Sequence, residues 1–284
     1  LKKGENAHLL SMTATPIPRT LALSIYGDLD VSQITELPPG RLPVVTKIIS
    51  ENNLSALFKI VEKEVDIGKQ VYVILPLIEE SDKLNLNSAI DIYRQLSEEV
   101  FTHFNVGLLH GKLNPNEKNK ILSLFSKNKI NILVSTTVIE VGIDVPNASI
   151  MVIYNSERFG LSQLHQLRGR VGRDSYQSFC YLITSENNVL NNKRLDVLQK
   201  SNDGFYVAEK DLELRGPGQI LGYKQSGLPD FVLENLPQNK DLIDKARNVA
   251  TNLLKDDPTL ENNQNLKKLI FNKSGKKFIH EFLN

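Results

Sequence analysis

Between Gln163 and Arg173 the chain reads Gln-Leu-His-Gln-Leu-Arg-Gly-Arg-Val-Gly-Arg, its densest run of groups able to do chemistry. Arg170 and Arg173 stand three residues apart, beside Gly169 and Gly172, which let backbone approach a bound group. A guanidinium is permanently charged and presents a planar fork of donors. Two of them at this spacing on one helix face can clamp the terminal phosphate of a nucleotide held by another domain. A lone Arg-Gly-Arg would read as a solvated basic helix end. The longer pattern Gln-x-x-Gly-Arg-x-Gly-Arg, soon after the apolar Phe159-Gly160-Leu161, favours the phosphate reading.

Three other segments carry groups of this kind, each after an expected strand. Thr13-Ala14-Thr15-Pro16-Ile17-Pro18-Arg19-Thr20 opens a helix, with the hydroxyls of Thr13 and Thr15 free to bond neighbouring carboxylate or phosphate-sensing side chains and prolines fixing the turn. Ser/Thr before Pro is common in turns, so the weight of this segment lies in its order along the chain. His110-Gly111-Lys112-Leu113-Asn114-Pro115 marks a strand-to-helix junction whose N–H groups suit a nucleic-acid phosphate; a helix capped by Asn114, with no ligand, explains the same residues equally well. In Ser135 to Pro146, Thr136 and Thr137 can donate to a backbone phosphate, Gly142 removes bulk where a nucleotide passes, and Asp144 can accept from a ribose hydroxyl. Strand-end β propensity and a Gly-Ile-Asp turn are the plain alternative. The chain holds no Gly-x-x-x-x-Gly-Lys-Ser/Thr loop and no acidic motif after a strand to hold Mg²⁺. It is therefore expected to supply the sensing half of an ATPase without the binding half, with no metal site and no hydrolysis on its own.

The elements that must position these groups follow a regular rhythm. From about 41 to 185, short apolar strands alternate with amphipathic helices, as in βα units folding into a mostly parallel sheet. Strands are predicted at Val44–Ile49, Val71–Leu75, Val106–Leu109, Ile130–Val134, Ile150–Ile153 and Phe179–Ile183. Leu54, Leu57, Phe58, Val61 and Val65 recur at helical spacing and stop near Gly68; further helices are predicted near 88–100 and, opened by Pro115, near 115–127. The segment 35–43, with three prolines and a glycine, breaks helix and sheet alike and reads as an interdomain linker. After about 190 the strand rhythm gives way to polar helices with turn-rich inserts at Arg215–Gly218 and Gly227–Pro229, and a lysine cluster, Lys267, Lys268, Lys273, Lys276 and Lys277, reads as a solvated face.

Composition bounds the rest. At 284 residues and 40% hydrophobic the chain can bury a core and has room for about two domains. A formal charge of +1 means that nucleic-acid contacts must come from local patches and backbone amides. The single cysteine, Cys180, lies in an apolar run and excludes a disulfide framework or a zinc site. No stretch of eighteen apolar residues and no leader is present, so no membrane span is expected and a cytoplasmic location is. The chain starts at Leu1 and reaches a strand predicted at His8–Met12 almost at once, and is expected to be the C-terminal part of something longer.

Taken in order, Thr13-Ala14-Thr15, the His110-Gly111 segment, Ser135 to Pro146 and Gln163 to Arg173 resemble successive motifs of superfamily 2 helicases, and the chain is similar in particular to the RecG family of ATP-dependent branched-DNA helicases. The specific matches are Met12 to Thr20, Tyr26 to Ser32, Glu36-Leu37-Pro38-Pro39-Gly40-Arg41, Arg158 to Gln166, and Asp203-Gly204-Phe205 through Asp211 to Gly218 and on to Gln225-Ser226-Gly227. The resemblance implies an α/β fold, a RecA-like parallel sheet of the P-loop NTPase type with helices on both faces, followed by a smaller helical C-terminal element. It implies that 1–40 ends a first RecA-like lobe, that 41–200 is the second, and that 201–284 is a translocation hairpin with the C-terminal region. Arg170 and Arg173 would then reach the γ-phosphate of ATP, Gln166 would help sense it, and Gly142 and Asp144 would lie at the nucleotide. His110, Gly111, Thr136 and Thr137 would bind DNA, and Thr13, Thr15, Arg215 and Gln225 would couple lobe closure to movement. ATP with Mg is the implied cofactor, with the Mg ligands in the missing first lobe. The implied partner is branched double-stranded DNA, acted on by a monomer that also carries a wedge domain. A transcription-repair coupling factor type of translocase shares part of the pattern, and a truncated non-catalytic DNA-binding module is the alternative of a different class.

Overall fold

The computed structural model describes residues 10, 12, 32, 34, 40–76, 82–136, 145–185, 189–215 and 240–274. Contacts divide the chain into two units, with Ser32–Leu214 in the first and Arg215–Asn284 in the second. In the first unit the order is β1 (Val45–Ser50), α1 (Leu54–Asp66), β2 (Gln70–Leu75), α2 (Asp82–Arg94), β3 (Val106–Leu109), α3 (Pro115–Ser126), β4 (Ile132–Thr136), β5 (Ala148–Ile153), α4 (Leu161–Arg168), β6 (Phe179–Thr184), α5 (Val189–Lys200) and α6 (Gly204–Arg215). The six strands form one sheet in the order β1-β6-β5-β2-β4-β3, and all five pairings are parallel. This is the expected RecA-like α/β arrangement.

Burial on both faces explains why the central strands are nearly continuous apolar runs: every residue of β2, β4 and β5 is buried. The pleat sends alternate residues to opposite sides. Tyr72, Ile74, Leu133, Met151 and Leu182 join one core with Phe125 of α3, Leu161, Leu164 and Leu167 of α4, and Leu195 and Leu198 of α5. Val71, Val73, Ile132, Val134 and Ile150 join another with Leu57, Val61 and Val65 of α1 and Ala89 of α2.

Local chemistry sets the element ends. Gly68, at φ 85°, takes the left-handed conformation that ends α1. The helix expected near 88–100 begins earlier, at Asp82, and passes into a π-helical turn, Gln95–Val100, closed by a bond from the Phe101 N–H to the Leu96 carbonyl (2.7 Å). The strand expected at Ile130–Val134 is displaced to Ile132–Thr136, because the Ile130 carbonyl is taken by the buried Gln70 amide (2.8 Å), which also donates to the Phe125 carbonyl (2.6 Å). The strand predicted at His8–Met12 is not seen at its two described residues: Leu10 and Met12 are 79% and 84% exposed and pair with none of the six strands. A lone apolar run forms a strand only where a neighbouring edge satisfies its backbone.

In the second unit, α7 (Lys240–Asp256) and α8 (Gln264–Ser274) are joined by a turn in which the Asp257 carboxylate accepts from the N–H groups of Glu261 (2.8 Å) and Asn262 (2.9 Å). Lys267 and Lys268 lie exposed on α8, as a solvated face requires.

Candidate nucleotide-sensing and nucleic-acid sites

Helix α4 is built from an apolar stripe, Leu161, Leu164 and Leu167, and its start is closed by the Gln163 carboxamide oxygen accepting from the Gly160 N–H (3.1 Å). Arg168 shares this buried face and is only 3% exposed. Both terminal nitrogens of its guanidinium are engaged: Nη1 donates to the carbonyls of Leu198 (2.6 Å) and Ser201 (2.9 Å) and to Thr46 Oγ1 (3.3 Å), while Nη2 meets His165 Nδ1 at 2.9 Å. A fixed cation thereby sits on the C-terminal carbonyls of α5, where the helix dipole favours it.

A guanidinium has no acceptor, so His165 Nδ1 must be unprotonated and the ring proton must reside on Nε2. Burial first, and then the charge of Arg168, push the His165 pKa from 6.5 down to about 4. The unfolded chain therefore binds a proton between about pH 6.5 and 4 that the folded chain refuses, and folding stability is full above pH 6.5 and falls as the pH drops through 4. Thermal melting of wild type and His165→Asn between pH 7 and pH 4 checks this. The wild-type midpoint should fall more steeply; parallel curves would remove His165 as the cause.

Arg170 and Arg173 do not share a helix face, contrary to the expectation from their spacing. Helix α4 ends at Arg168, and both arginines lie in the loop leading to β6. Two glycines explain the break. Gly169 closes the helix, and Gly172 adopts φ 72°, where a Cβ would also lie 2.8 Å from Val44 Cγ2. Val171, fully buried, anchors the loop between the two half-buried arginines. Arg173 Nε reaches back to the Gly169 carbonyl (3.4 Å). A third arginine, Arg41, donates to the carbonyl of Gly172 (2.6 Å). Gln166, half-buried on α4, lies one turn before the loop.

Because all strands run the same way, the position of each group follows from topology. The loop of Arg170 and Arg173 feeds β6 beside the start of β1, at the N-terminal edge of the sheet. His110 and Gly111 follow β3, and Thr136 closes the adjacent β4, at the C-terminal edge and the opposite end of the strand order. Strands of five or six residues set these edges about 15–20 Å apart. The structure thus brings Arg170, Arg173 and Gln166 together, brings His110, Gly111 and Thr136 together, and separates the two groups diagonally.

At the second corner, Thr136 is 2% exposed, and its Oγ1 has no hydrogen-bond partner among the described residues; Ser135 Oγ donates to the Thr136 carbonyl (2.6 Å). The buried His110 Nδ1 also lacks a partner among the described residues, and burial, then the nearby Lys118 charge, lower the His110 pKa, leaving the ring neutral at pH 7. Asn114 is the N-cap of α3: its Oδ1 accepts from the Glu117 N–H (2.9 Å), and the Glu117 carboxylate accepts from the Asn114 N–H (3.1 Å). The cap and the unpartnered ring atom coexist.

Thr13, Thr15, Thr137, Gly142, Asp144 and Gln225 lie outside the described residues, and Arg215 is the last residue of α6. Among the described residues no group of three or more His, Cys, Asp or Glu side chains could hold a metal ion, and no helix is long and apolar enough to cross a membrane. Two positions escaped the sequence reading as site residues. Arg168 carried a signal, a charged residue on the stripe Leu161, Leu164, Arg168; Arg41 carried none beyond its place after Pro-Pro-Gly.

Comparison with known proteins bears on this geometry. The helicase conserved C-terminal domain model matches residues 52–175, and the model of ATP-dependent DNA helicase RecG, domain 3, C-terminal, matches residues 201–277. The chain is 54% identical over 267 residues to the ATP-dependent DNA helicase RecG of Synechocystis sp., covering 94% of this chain and 32% of that protein. It is 51% identical over 255 residues to its counterpart in Bacillus subtilis, covering 90% and 37%. It thus spans about a third of the length of these relatives. A solved structure of RecG bound to a three-way DNA junction is similar with TM-score 0.64 at 45% identity, over 81% of this chain and 30% of that one. With a helicase C-terminal domain and then part of domain 3 in the order these matches require, the chain belongs to the RecG family of helicases.

Proposed function

We propose that this chain is the C-terminal part of a RecG-like ATP-dependent DNA helicase or translocase, acting on branched DNA such as replication forks and Holliday junctions in recombination and repair. The observation that carries the reading is the pair of half-buried guanidiniums, Arg170 and Arg173, held on a glycine-shaped loop at one edge of a rigid sheet. Their donors suit a triphosphate, on which charge builds as the terminal phosphoryl group leaves. Residues 1–40 are assigned to the end of a first lobe, 41–200 to the second lobe and 201–284 to the translocation element. The ligands of Mg are assigned to the preceding lobe.

In this scheme Arg170 and Arg173 stabilise charge on the terminal phosphate, Gln166 senses it, and Gly142 and Asp144 lie at the nucleotide. His110, Gly111, Thr136 and Thr137 hold the DNA backbone; the unpartnered Oγ1 of Thr136 supports this, because a buried hydroxyl left without a bond is costly until a ligand supplies one. Thr13, Thr15, Arg215 and Gln225 transmit lobe closure. The protein works as a monomer in the cytoplasm.

ATP hydrolysis by the full-length protein, measured with a three-way junction and with linear duplex of equal length, tests the reading. Faster turnover on the junction is expected. No hydrolysis from the folded protein would favour a non-catalytic DNA-binding module, and hydrolysis indifferent to DNA would overturn the branched-DNA assignment.

A further inference from the structure

Arg41 lies where the chain enters the sheet, directly after Gly40, whose φ of 82° turns the backbone. Its side chain is half-buried and crosses to the loop of Arg170 and Arg173. Nε donates to the Gly172 carbonyl (2.6 Å), and Nη2 to the carbonyls of Gly169 (3.3 Å) and Val171 (3.4 Å). Gly169 and Val171 flank Arg170, and the Gly172 carbonyl belongs to the peptide that leads into Arg173. One planar fork therefore fixes the curvature of the backbone that aims both guanidiniums. The contact is continued by the Gln177 side chain donating to the Pro43 carbonyl (2.8 Å) and by the Val45 N–H donating to the Ser178 carbonyl (3.0 Å). Residues 41–45 and 169–178 are thus laced together across more than a hundred positions of sequence.

We infer that Arg41 is a positioning residue that ties the segment preceding β1 to the loop of Arg170 and Arg173, so that movement of that segment is felt at the phosphate-sensing guanidiniums. The inference rests on the function proposed above. An arginine is needed for its geometry: the carbonyls it binds are neutral, and a lysine ammonium cannot span three acceptors on a curved loop.

The test is steady-state ATP hydrolysis by the full-length protein on saturating junction DNA. Arg41→Ala should lower kcat about tenfold or more, as expected for a misplaced catalytic group. The KM for ATP and the affinity for DNA should stay within about twofold, since ground-state binding is untouched. Arg41→Lys should recover little. Adding Arg41→Ala to a variant that already carries Arg170→Ala and Arg173→Ala should cause no further loss, because Arg41 acts through those two guanidiniums. Normal kcat in Arg41→Ala alongside an inactive Arg170→Ala overturns the positioning role alone, as does a further loss when Arg41→Ala is added to the variant lacking both Arg170 and Arg173. A kcat loss in both Arg41 variants that merely tracks the melted fraction also overturns it. An active Arg170→Ala overturns the proposed function itself.

Discussion

Arg170→Ala in the full-length protein removes DNA-stimulated ATP hydrolysis, with kcat falling on the order of 10³-fold, while nucleotide binding is largely kept. The asymmetry follows from when the charge matters. In the ground state the triphosphate is already held by other groups, and one guanidinium adds modest affinity. As the terminal phosphoryl group departs, charge accumulates on its oxygens and a pre-placed cation outside bulk water is worth far more. Backbone and burial shape the loop around Arg170: Gly172 sets its turn, Val171 buries its middle, and the Arg170 N–H bonds the Leu167 carbonyl (2.9 Å). The melting midpoint of the variant, measured beside turnover, separates lost chemistry from lost folding. Single-turnover hydrolysis measured beside nucleotide binding checks the split, and near-normal turnover would sink the assignment of Arg170.

Two residues earlier the same substitution has the opposite signature. Arg168→Ala should cost about 3 kcal/mol of stability or more, because it strips donors from buried carbonyls and leaves them unsatisfied. The Leu198 and Ser201 carbonyls at the end of α5 lose their partner, as does Thr46 on β1, so α4, α5 and the sheet come apart at one joint. For a chain of this size the melting midpoint should fall by about 6 °C or more. Arg168→Lys should recover only part of it, since one ammonium cannot reproduce the fork. An Arg168→Ala variant melting within a degree or so of wild type would show that the carbonyls find other donors, against the burial seen here.

The contrast between Arg168 and Arg170 also marks how far sequence could be read. Alternation of β2, β4 and β5 with amphipathic helices was legible because burial on both faces writes itself as uninterrupted apolar runs. The order β1-β6-β5-β2-β4-β3 was not, since no local pattern encodes which strand lies beside which. Around the arginines the pattern misled. Leu161, Leu164 and Leu167 are followed by a buried Val171 at helical spacing, which mimics another turn, yet Gly172 at positive φ converts that turn into a loop. At His110 the residue types fitted a capped helix and an anion site alike. Asn114 caps α3, as the capped-helix reading expects, while the His110 ring keeps a buried nitrogen with no partner among the described residues.

The diagonal placement of the two groups has a mechanical meaning. In a sheet whose three middle strands are buried along their whole length, bending any one strand would open voids on both faces, so the sheet resists internal deformation. In the function proposed above, a tug on the corner holding Arg170 and Arg173 would be conveyed to the corner holding His110 and Thr136 as rotation of a beam about a pivot, with no relay of rearranging side chains between them. The stroke of that proposed motion would be set by the angle turned and the length of the arm, so that the stiffness of β2, β4 and β5 would matter to it as much as any residue that touches phosphate.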